Sequence, residues 1–236
     1  MSEDLVVIRE LAKQFDQIKV LNKISFSIRR GEIFGLLGLN GAGKTTLFKC
    51  ILQFVSQDSG EIHYQGFPLT PPTIHRSIGY LPEFFLPPAE LSARELLRLL
   101  ALGVSGRPAD IDALLVKTGL NPDKRIREYS RGMIQRLGLA MALLKNPDFV
   151  VLDEPTLGLD PLVRSRLLDW LQEMNQDGKT ILLSSHDFSQ VEKLCHRVAI
   201  LHQGVISYIG DIQGFLQKRA TNSLETAFLK EVEPHA

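Results

Sequence analysis

The chain has 236 residues with 27 Lys and Arg against 27 Asp and Glu, so its formal net charge is zero. Hydrophobic residues make up 44% and charged residues 23%, a composition that is typical of a folded globular protein and excludes a disordered or fibrous chain. A neutral chain has no bulk field to collect nucleic acid, so we expect no nucleic-acid partner. Cys50 and Cys195 lack metal-ligand spacing, which favours reduced thiols in the cytosol.

The sequence also makes predictions about location. Residues 1–4 are acidic and polar, unlike a secretory signal. The longest apolar run, at residues 137–144, is much shorter than the ~20 residues that a membrane-crossing helix needs. We therefore expect no membrane span, and we expect any membrane contact to pass through a partner.

The first predicted elements form an antiparallel opening followed by a strand, a loop and a helix. β-rich runs at 5–8 and 24–28 indicate a hairpin-like start that ends at the turn 30–32. The apolar run 33–37 does not alternate, which predicts a strand that is buried on both faces. A glycine-rich loop and a helix from Lys44 follow directly.

The middle of the chain, between about Pro87 and Pro147, is predicted to be helical. Ser92 and Glu95 have the spacing of a capping box at a helix start. The predicted helices are 92–102, 108–118 and 130–145. The sequence thus predicts a helical lobe inserted into an α/β core.

Strands and helices then alternate. The predicted order is strand 149–152, helix 161–176, strand 180–184, helix 187–195, strand 198–201 and a last hairpin strand at 205–208. Asp160 with Pro161 predicts one helix start, and Asp187 with Gln190 predicts a second capping box. This alternation predicts a parallel, helix-covered sheet. We expect a core at 1–84 and 147–217, a helical subdomain at about 85–146 and a short tail at 218–236.

The glycine-rich loop fits the pattern GxxxxGK[ST] between a strand and a helix. Its glycines let backbone N–H groups surround phosphate oxygens, the helix N-terminus adds a positive dipole end, and Lys44 reaches the outer phosphates. We expect Thr45 to ligate Mg²⁺. The predicted ATP-binding residues of this loop are Gly38, Leu39, Asn40, Gly41, Ala42, Gly43, Lys44, Thr45 and Thr46.

A second predicted element is an apolar strand that ends in two carboxylates, Asp153 and Glu154. At the end of a strand, Asp153 can hold the Mg²⁺ shell. Glu154 beside it can orient and deprotonate a water molecule that faces the γ-phosphate. The two acids are therefore predicted to have separate roles.

Together these motifs resemble the nucleotide-binding subunit of ATP-binding cassette (ABC) transporters over nearly the whole chain. Residues 130–137 stand at the position of the family signature, and Leu159-Asp160 matches the D-loop. His186, in Ser184-Ser185-His186-Asp187, matches the switch histidine, and residues 80–83 occupy the Q-loop position. Phe15 stands where the family stacks an aromatic ring on adenine. The resemblance implies an α/β P-loop NTPase core of ABC type, a parallel sheet flanked by helices, with an N-terminal antiparallel β subdomain and an inserted α-helical subdomain.

The sequence departs from the family pattern at several positions. The usual Leu-Ser-Gly-Gly-Gln signature is replaced by Tyr129-Ser130-Arg131-Gly132-Met133, Glu83 replaces a glutamine, and Leu39 replaces a proline. These changes resemble the bacterial branch that serves ABC-2 type permeases, in which Leu-Glu-x-x-Phe near the C-terminus, here residues 224–228, is familiar.

The resemblance implies a mechanism and a set of roles. Two cassettes, a homodimer or a pair with a paralogous cassette, would meet head to tail with ATP and Mg²⁺ between them. Lys44, Glu154 and His186 would be catalytic, and Thr45, Glu83 and Asp153 would surround the metal. Ser130, Arg131, Gly132 and Met133 would act across the interface, with the D-loop Asp160 beside them. The partner would be an integral membrane permease, contacted on the cytoplasmic face of the inner or cell membrane through residues 84–86 and 91–102.

Two alternatives stay open at this point. One is a soluble ABC-type ATPase that acts on nucleic acid or the ribosome; a compact helical lobe and a single P-loop disfavour it. The other is a slow, nucleotide-gated regulator with an altered signature. Cargo, direction of transport and homodimer against heterodimer are not encoded in this chain, although the ABC-2 resemblance favours export.

Overall fold

The structure is a computed structural model that describes residues 4–104 and 108–233. The helices in these ranges are α1 (Lys44–Ile51), α2 (Pro71–Ser77), α3 (Ala93–Ala101), α4 (Ile111–Thr118), α5 (Arg131–Leu143), α6 (Pro161–Gln176), α7 (Phe188–Leu194), α8 (Ile212–Lys218) and α9 (Leu224–Val232), with a 3-10 turn at Ile126–Glu128. The strands are β1 (Asp4–Phe15), β2 (Ile18–Arg29), β3 (Ile33–Leu37), β4 (Ser59–Tyr64), β5 (Phe67–Pro68), β6 (Ile78–Leu81), β7 (Phe149–Leu152), β8 (Thr180–Ser184), β9 (Arg197–His202) and β10 (Val205–Asp211). None of these helices is both long and apolar enough to cross a bilayer.

The chain divides into two compact units, Met1–Pro71 with Thr180–Ala236 and Pro72–Lys179. The first unit contains an antiparallel sheet with the strand order β2-β1-β4-β5. The two predicted runs pair as antiparallel strands of twelve residues each, much longer than the runs themselves. The hairpin turns at residues 16–17, and the predicted turn at 30–32 connects β2 to β3 instead. Several register shifts interrupt the pairing of β1 with β2, so the alternation of buried residues is broken and the sequence pattern covers only part of each strand.

The second sheet of the first unit has the order β10-β9-β3-β8. β3 pairs in parallel with β8 and β9, and all five of its residues are buried, as its unalternating apolar run predicts. α7 covers this sheet closely, since a Cβ on Gly35 of β3 would lie 3.1 Å from the Sγ of Cys195 and 3.3 Å from Val191. The carboxyl ends of β3 and β8 therefore lie at one edge of a covered sheet.

The second unit contains the parallel pair β6 and β7, in which Leu81 lies opposite Leu152. Beside this pair, α3, α4 and α5 form the predicted helical part. They share a core of buried apolar residues: Ala93, Leu96, Leu97, Leu115, Leu120, Ile126, Leu137, Ala140 and Leu144. The predicted capping box is present, since the Ser92 side chain accepts from the Glu95 N–H and the Glu95 carboxylate accepts from the Ser92 N–H.

One helix start and one capping box differ from the prediction. α4 begins at Ile111 instead of Pro108, because the Asp110 side chain accepts hydrogen bonds from the N–H groups of Asp112 and Ala113. Residues 105–107 lie outside the described ranges. Asp187 caps α7 as predicted, but the Gln190 amide donates to the Asp187 carboxylate and not to its backbone, so the box is incomplete.

The C-terminal residues of the first unit fold back onto it. The Phe228 ring of α9 packs at 5.0 Å from the Phe188 ring of α7, and the Leu224 N–H donates to the Glu192 carboxylate at 2.6 Å. The Leu-Glu-x-x-Phe residues 224–228 thus lie in a helix that extends to Val232. The subdomain and tail boundaries given above remain predictions.

Candidate active site

The glycine-rich loop between β3 and α1 has a backbone that only glycine adopts without strain. Gly41 has φ +80° and Gly43 has φ +109°. A Cβ on Gly43 would lie 2.9 Å from the carbonyl oxygen of Val20, and a Cβ on Gly38 would lie 2.5 Å from that of Leu201. The loop is therefore held against β2 and β9 and leads directly into the start of α1.

Lys44, the first residue of α1, is buried, and its ammonium group turns back onto the loop. Its Nζ donates to the carbonyl oxygen of Gly38 at 2.7 Å and to that of Leu39 at 3.3 Å. The positive charge thus lies within the loop. Leu39, Asn40, Gly41 and Thr45 are exposed, Thr46 is half-buried, and Ala42 is buried.

His186 lies at the same sheet edge as this loop. β8 runs parallel to β3 with Ser184 opposite Leu36, and His186 and Gly38 each follow two residues after these partners. The side chain of His186 is exposed, and Asp187 after it anchors α7. The register therefore brings the predicted switch histidine to the phosphate-binding loop.

Phe15 ends β1 at the tip of the hairpin, and 44% of its side chain is exposed. The Lys13 ammonium lies 5.2 Å from the centroid of its ring. Lys13 pairs with Leu21, whose side chain would lie 2.9 Å from a Cβ on Gly43. An exposed aromatic face thus stands near the glycine loop, where the prediction places adenine stacking.

The second unit carries the acidic residues at the carboxyl ends of its two strands. Asp153 directly follows β7, is buried, and donates its N–H to the Leu81 carbonyl at 2.9 Å. Glu83 follows β6 by two residues and is half-buried. Burial raises the pKa of Tyr80 well above its usual range, and the carboxylates of Asp153 and Glu83 raise it further, so both acids act on one phenol.

Glu154 is buried and has a left-handed backbone with φ +50°. For a residue with a Cβ this conformation costs about 1–3 kcal/mol and persists only where the surroundings enforce it. Its carbonyl oxygen accepts from the Leu157 N–H at 3.1 Å and from the Gln135 side-chain amide at 3.4 Å. A buried carboxylate residue held in this conformation at the end of a strand supports the hypothesis that Glu154 is functional.

The predicted signature residues stand at the start of α5. Ser130 is its N-cap and accepts from the Met133 N–H at 3.3 Å, which leaves the hydroxyl hydrogen able to donate to an anion. Gly132 and Met133 are half-buried, whereas Arg131 is exposed. The Arg131 side chain lies against Gly158, because a Cβ there would meet its Nε at 2.8 Å and its Cδ at 2.9 Å.

Asp160, the predicted D-loop aspartate, is the N-cap of α6. Its Oδ1 accepts from the N–H groups of Leu162 and Val163 at 3.1 and 3.0 Å. Pro161 takes the first helical position, as predicted. Asp160 is exposed, and its Oδ1 is used by the cap.

Sequence reasoning missed Gln135 and Gly158. Gln135 belongs to the buried stripe Gln135, Gly138, Leu139 and Ala142 of α5, in which it alone carries a side chain that can hydrogen-bond. A polar residue in a buried stripe implies a hydrogen-bond partner, so this pattern could have identified it. Gly158 could have been found only through its φ of +76° and its contact with Arg131.

Comparisons with known proteins show which family this chain is similar to. The ABC transporter family model matches residues 21–157. A Nostoc sp. protein described as an uncharacterized ABC transporter ATP-binding protein is 40% identical over 210 residues, which cover 85% of this chain and 62% of that protein. Nod factor export ATP-binding protein I of Burkholderia thailandensis is 38% identical over 212 residues, which cover 86% of this chain and 70% of that protein. A solved structure described as the ATP-binding subunit of an ABC transporter has a TM-score of 0.87 and 32% identity, and the match covers 96% of this chain and 99% of that one.

The fold and these matches define a P-loop cassette ATPase. The chain belongs to the ABC transporter family, as an ATP-binding protein. The predicted fold class and the predicted kind of protein, an ABC-type ATPase subunit, are both confirmed. The chain spans less than two thirds of the length of the Nostoc relative.

Proposed function

We propose that this chain binds and hydrolyses Mg-ATP at the cytoplasmic face of the cell membrane and thereby drives an ABC-2 type permease in export. The observation that carries the proposal is the glycine loop, whose left-handed glycines, buried Lys44 and helix start form an anion cradle. The name of the Burkholderia relative, a Nod factor export ATP-binding protein, supports export over import.

The cradle supplies the affinity for ATP. Lys44 exchanges its bonds to the Gly38 and Leu39 carbonyl groups for phosphate oxygens, so phosphate gains a charge-assisted bond without moving the loop. Phe15 offers an exposed ring for the adenine. The exposed backbone of Asn40 and Gly41 leaves room for phosphate at the centre of the loop.

The chemistry of the oxygen donors fits Mg²⁺. Thr45 supplies an exposed hydroxyl, and Asp153 and Glu83 supply carboxylates that share the electrostatic surroundings of Tyr80. Mg²⁺ is held in proteins by one or two carboxylates together with phosphate oxygens and water. When bound, the ion would neutralise charge on the β- and γ-phosphates.

Glu154 is the proposed general base. Its carboxylate is buried beside the end of β7, so it can take a proton from a water molecule that bulk solvent does not displace. His186, at the edge that carries the glycine loop, orients the γ-phosphate. The assignment of both groups of residues to one ATP molecule rests on the motifs of the family.

The departures in the signature are compatible with a composite site formed by two cassettes. Ser130 presents a hydroxyl at a helix N-terminus, which favours the γ-phosphate of a partner cassette. No acidic residue stands in the first turn of α5, so nothing there repels that phosphate. A homodimer or a pair with a paralogous cassette would satisfy this arrangement, with the permease bound through the helical unit.

The test separates binding from hydrolysis. Lys44→Ala should abolish measurable ATP binding, whereas Glu154→Gln should bind ATP with a Kd within about threefold of wild type and lose on the order of 10²- to 10⁴-fold in kcat. Glu173→Gln, which alters a surface carboxylate paired with Lys117 in the same unit, is the matched control and should leave both values unchanged. A Glu154→Gln protein that hydrolyses ATP at the wild-type rate would refute the proposed mechanism.

A further inference from the structure

The segment from Glu154 to Asp160, here called the acidic loop, contains both the proposed base and the D-loop aspartate. At one end, Glu154 is in a left-handed conformation that its side chain disfavours. At the other end, Asp160 is fixed as the cap of α6. Something must hold the strained end, because an unrestrained glutamate would relax to an ordinary backbone and carry its carboxylate away.

The first contact that holds this end comes from Gln135. Its side chain is buried, and its Nε2 donates to the Glu154 carbonyl oxygen. The same oxygen accepts from the Leu157 N–H within the loop. The hydrogen bond from Leu157 joins two residues of the acidic loop, whereas the hydrogen bond from the Gln135 amide joins the Glu154 peptide to α5.

Two further contacts come from the same end of α5. The Arg131 side chain lies on the α-carbon of Gly158, where any Cβ would meet its Nε, Cδ and Cζ at 2.8–3.1 Å. The buried side chain of Leu159 lies against Gly132, 3.2 Å from where a Cβ would stand. Residues 131 and 132 lie four and three residues before Gln135, so both are its neighbours on the surface of the helix.

We propose that Gln135 is a positioning residue for Glu154, and that Arg131 and Gly132 brace the remainder of the acidic loop, so that the signature end of α5 sets the geometry of the base. This inference rests on the proposed role of Glu154. Arg131 thereby acquires a role that the glycine usual at this position does not supply, since it stacks on the loop of its own chain.

The proposal predicts a split between kcat and KM. The hydrogen bond of Gln135 goes to the peptide of Glu154, which in the proposed mechanism acts on water, so its loss should leave ATP binding intact. Loss of Gln135 should displace the Glu154 carboxylate that acts on water. A displacement of about 1 Å in a catalytic group can lower the reaction rate on the order of 100-fold. A residue that only stabilised the fold would lower the melting temperature and leave the kcat of the folded fraction unchanged.

The decisive variant is Gln135→Met, which keeps the length of the side chain and removes the amide donor. We expect kcat for ATP hydrolysis to fall about tenfold or more, with KM and the Kd for ATP within about twofold of wild type. Gln172→Met, an exposed glutamine on α6 in the same unit, is the matched control and should keep wild-type kcat. Gln135→Glu should be at least as slow as Gln135→Met, because a carboxylate would face the Glu154 carbonyl.

A cycle of variants tests the Arg131 contact independently. Gly158→Ala adds backbone strain at φ +76° and places a Cβ against the Arg131 side chain, so it should lower kcat. In an Arg131→Gly background only the strain remains, and the same change should cost at least threefold less. Equal costs in both backgrounds would show that Arg131 does not brace the loop.

Each outcome decides between the possibilities. If Glu154→Gln is inactive while Gln135→Met retains wild-type kcat, the positioning role is wrong and the proposed function stands. If Gln135→Met lowers kcat only in proportion to its folded fraction, Gln135 is structural and the proposal is overturned. If Glu154→Gln itself retains wild-type kcat, the proposed base and the positioning role fall together.

Discussion

Replacing Gly43 by alanine should damage the protein more than replacing Gly41 of the same loop. Two costs add at this position. A Cβ at φ +109° is strained by about 1–2 kcal/mol, and its 2.9 Å contact with the Val20 carbonyl adds about 1–3 kcal/mol, because a paired backbone strand cannot move aside cheaply. We therefore expect the free energy of unfolding to fall by about 2–5 kcal/mol, with loss of ATP binding.

Two other glycines are matched controls. Gly41 (φ +80°) and Gly178 (φ +87°) have left-handed backbones, and no heavy atom lies within 4 Å of where their Cβ atoms would stand. Alanine at either position should cost only the strain of about 1–2 kcal/mol. Gly41→Ala should also weaken ATP binding, because its methyl group would occupy the centre of the cradle, whereas Gly178→Ala should not.

Urea unfolding followed by circular dichroism gives the stabilities, and titration with a fluorescent ATP analogue gives the affinities. The expected order of stability is wild type, then Gly41→Ala and Gly178→Ala together, then Gly43→Ala. If Gly43→Ala were as stable as Gly178→Ala, the loop would not be held against β2 as described.

Two further predictions concern titrating groups. The backbone N–H of Ser92 holds the pKa of Glu95 below its usual range, so the capping box stabilises the fold above the unfolded-state pKa of Glu95 and loses that contribution as the pH falls through the folded-state pKa. Thermal midpoints measured between pH 7 and pH 3 should therefore fall less steeply for Glu95→Gln than for wild type. Identical slopes for the two proteins would contradict the capping box. Burial raises the pKa of the Cys50 thiol to about 11 and the pKa of the Cys195 thiol well above its usual range. Neither thiol should therefore react with a disulfide reagent at pH 8 until the protein is unfolded. Stoichiometric labelling of the native protein would contradict this prediction, because it would show that one thiol is accessible.

The parts of the fold that local chemistry dictates were predictable from the sequence. The strand, loop and helix around Lys44 follow from an apolar run, glycines at fixed spacing and a helix start. α6 and β8 have the predicted bounds, because Asp160-Pro161 and the turn before Thr180 leave little freedom.

The parts that depend on tertiary packing were not predictable. β4, β5 and β6 lack a strong apolar alternation and are strands because they pair with β1, with each other or with β7. The hydrogen bond from Gln135 to Glu154 joins residues 19 positions apart, and its existence depends on how α5 packs beside the acidic loop. The contact of Arg131 with Gly158 likewise decides which way a charged side chain of the signature points, and spacing alone gives no information on it.

Affinity capture would show whether this chain works with a membrane permease. Tagged Glu154→Gln protein would be recovered from detergent-solubilised membranes with Mg-ATP and with Mg-ADP, with Lys44→Ala as the control that cannot bind nucleotide. We expect a polytopic membrane protein in stoichiometric amount with Mg-ATP, and identification of this protein by mass spectrometry would define the transporter. Recovery of ribosomes or nucleic acid in its place, with no membrane protein, would contradict the account and favour a soluble ABC-type ATPase.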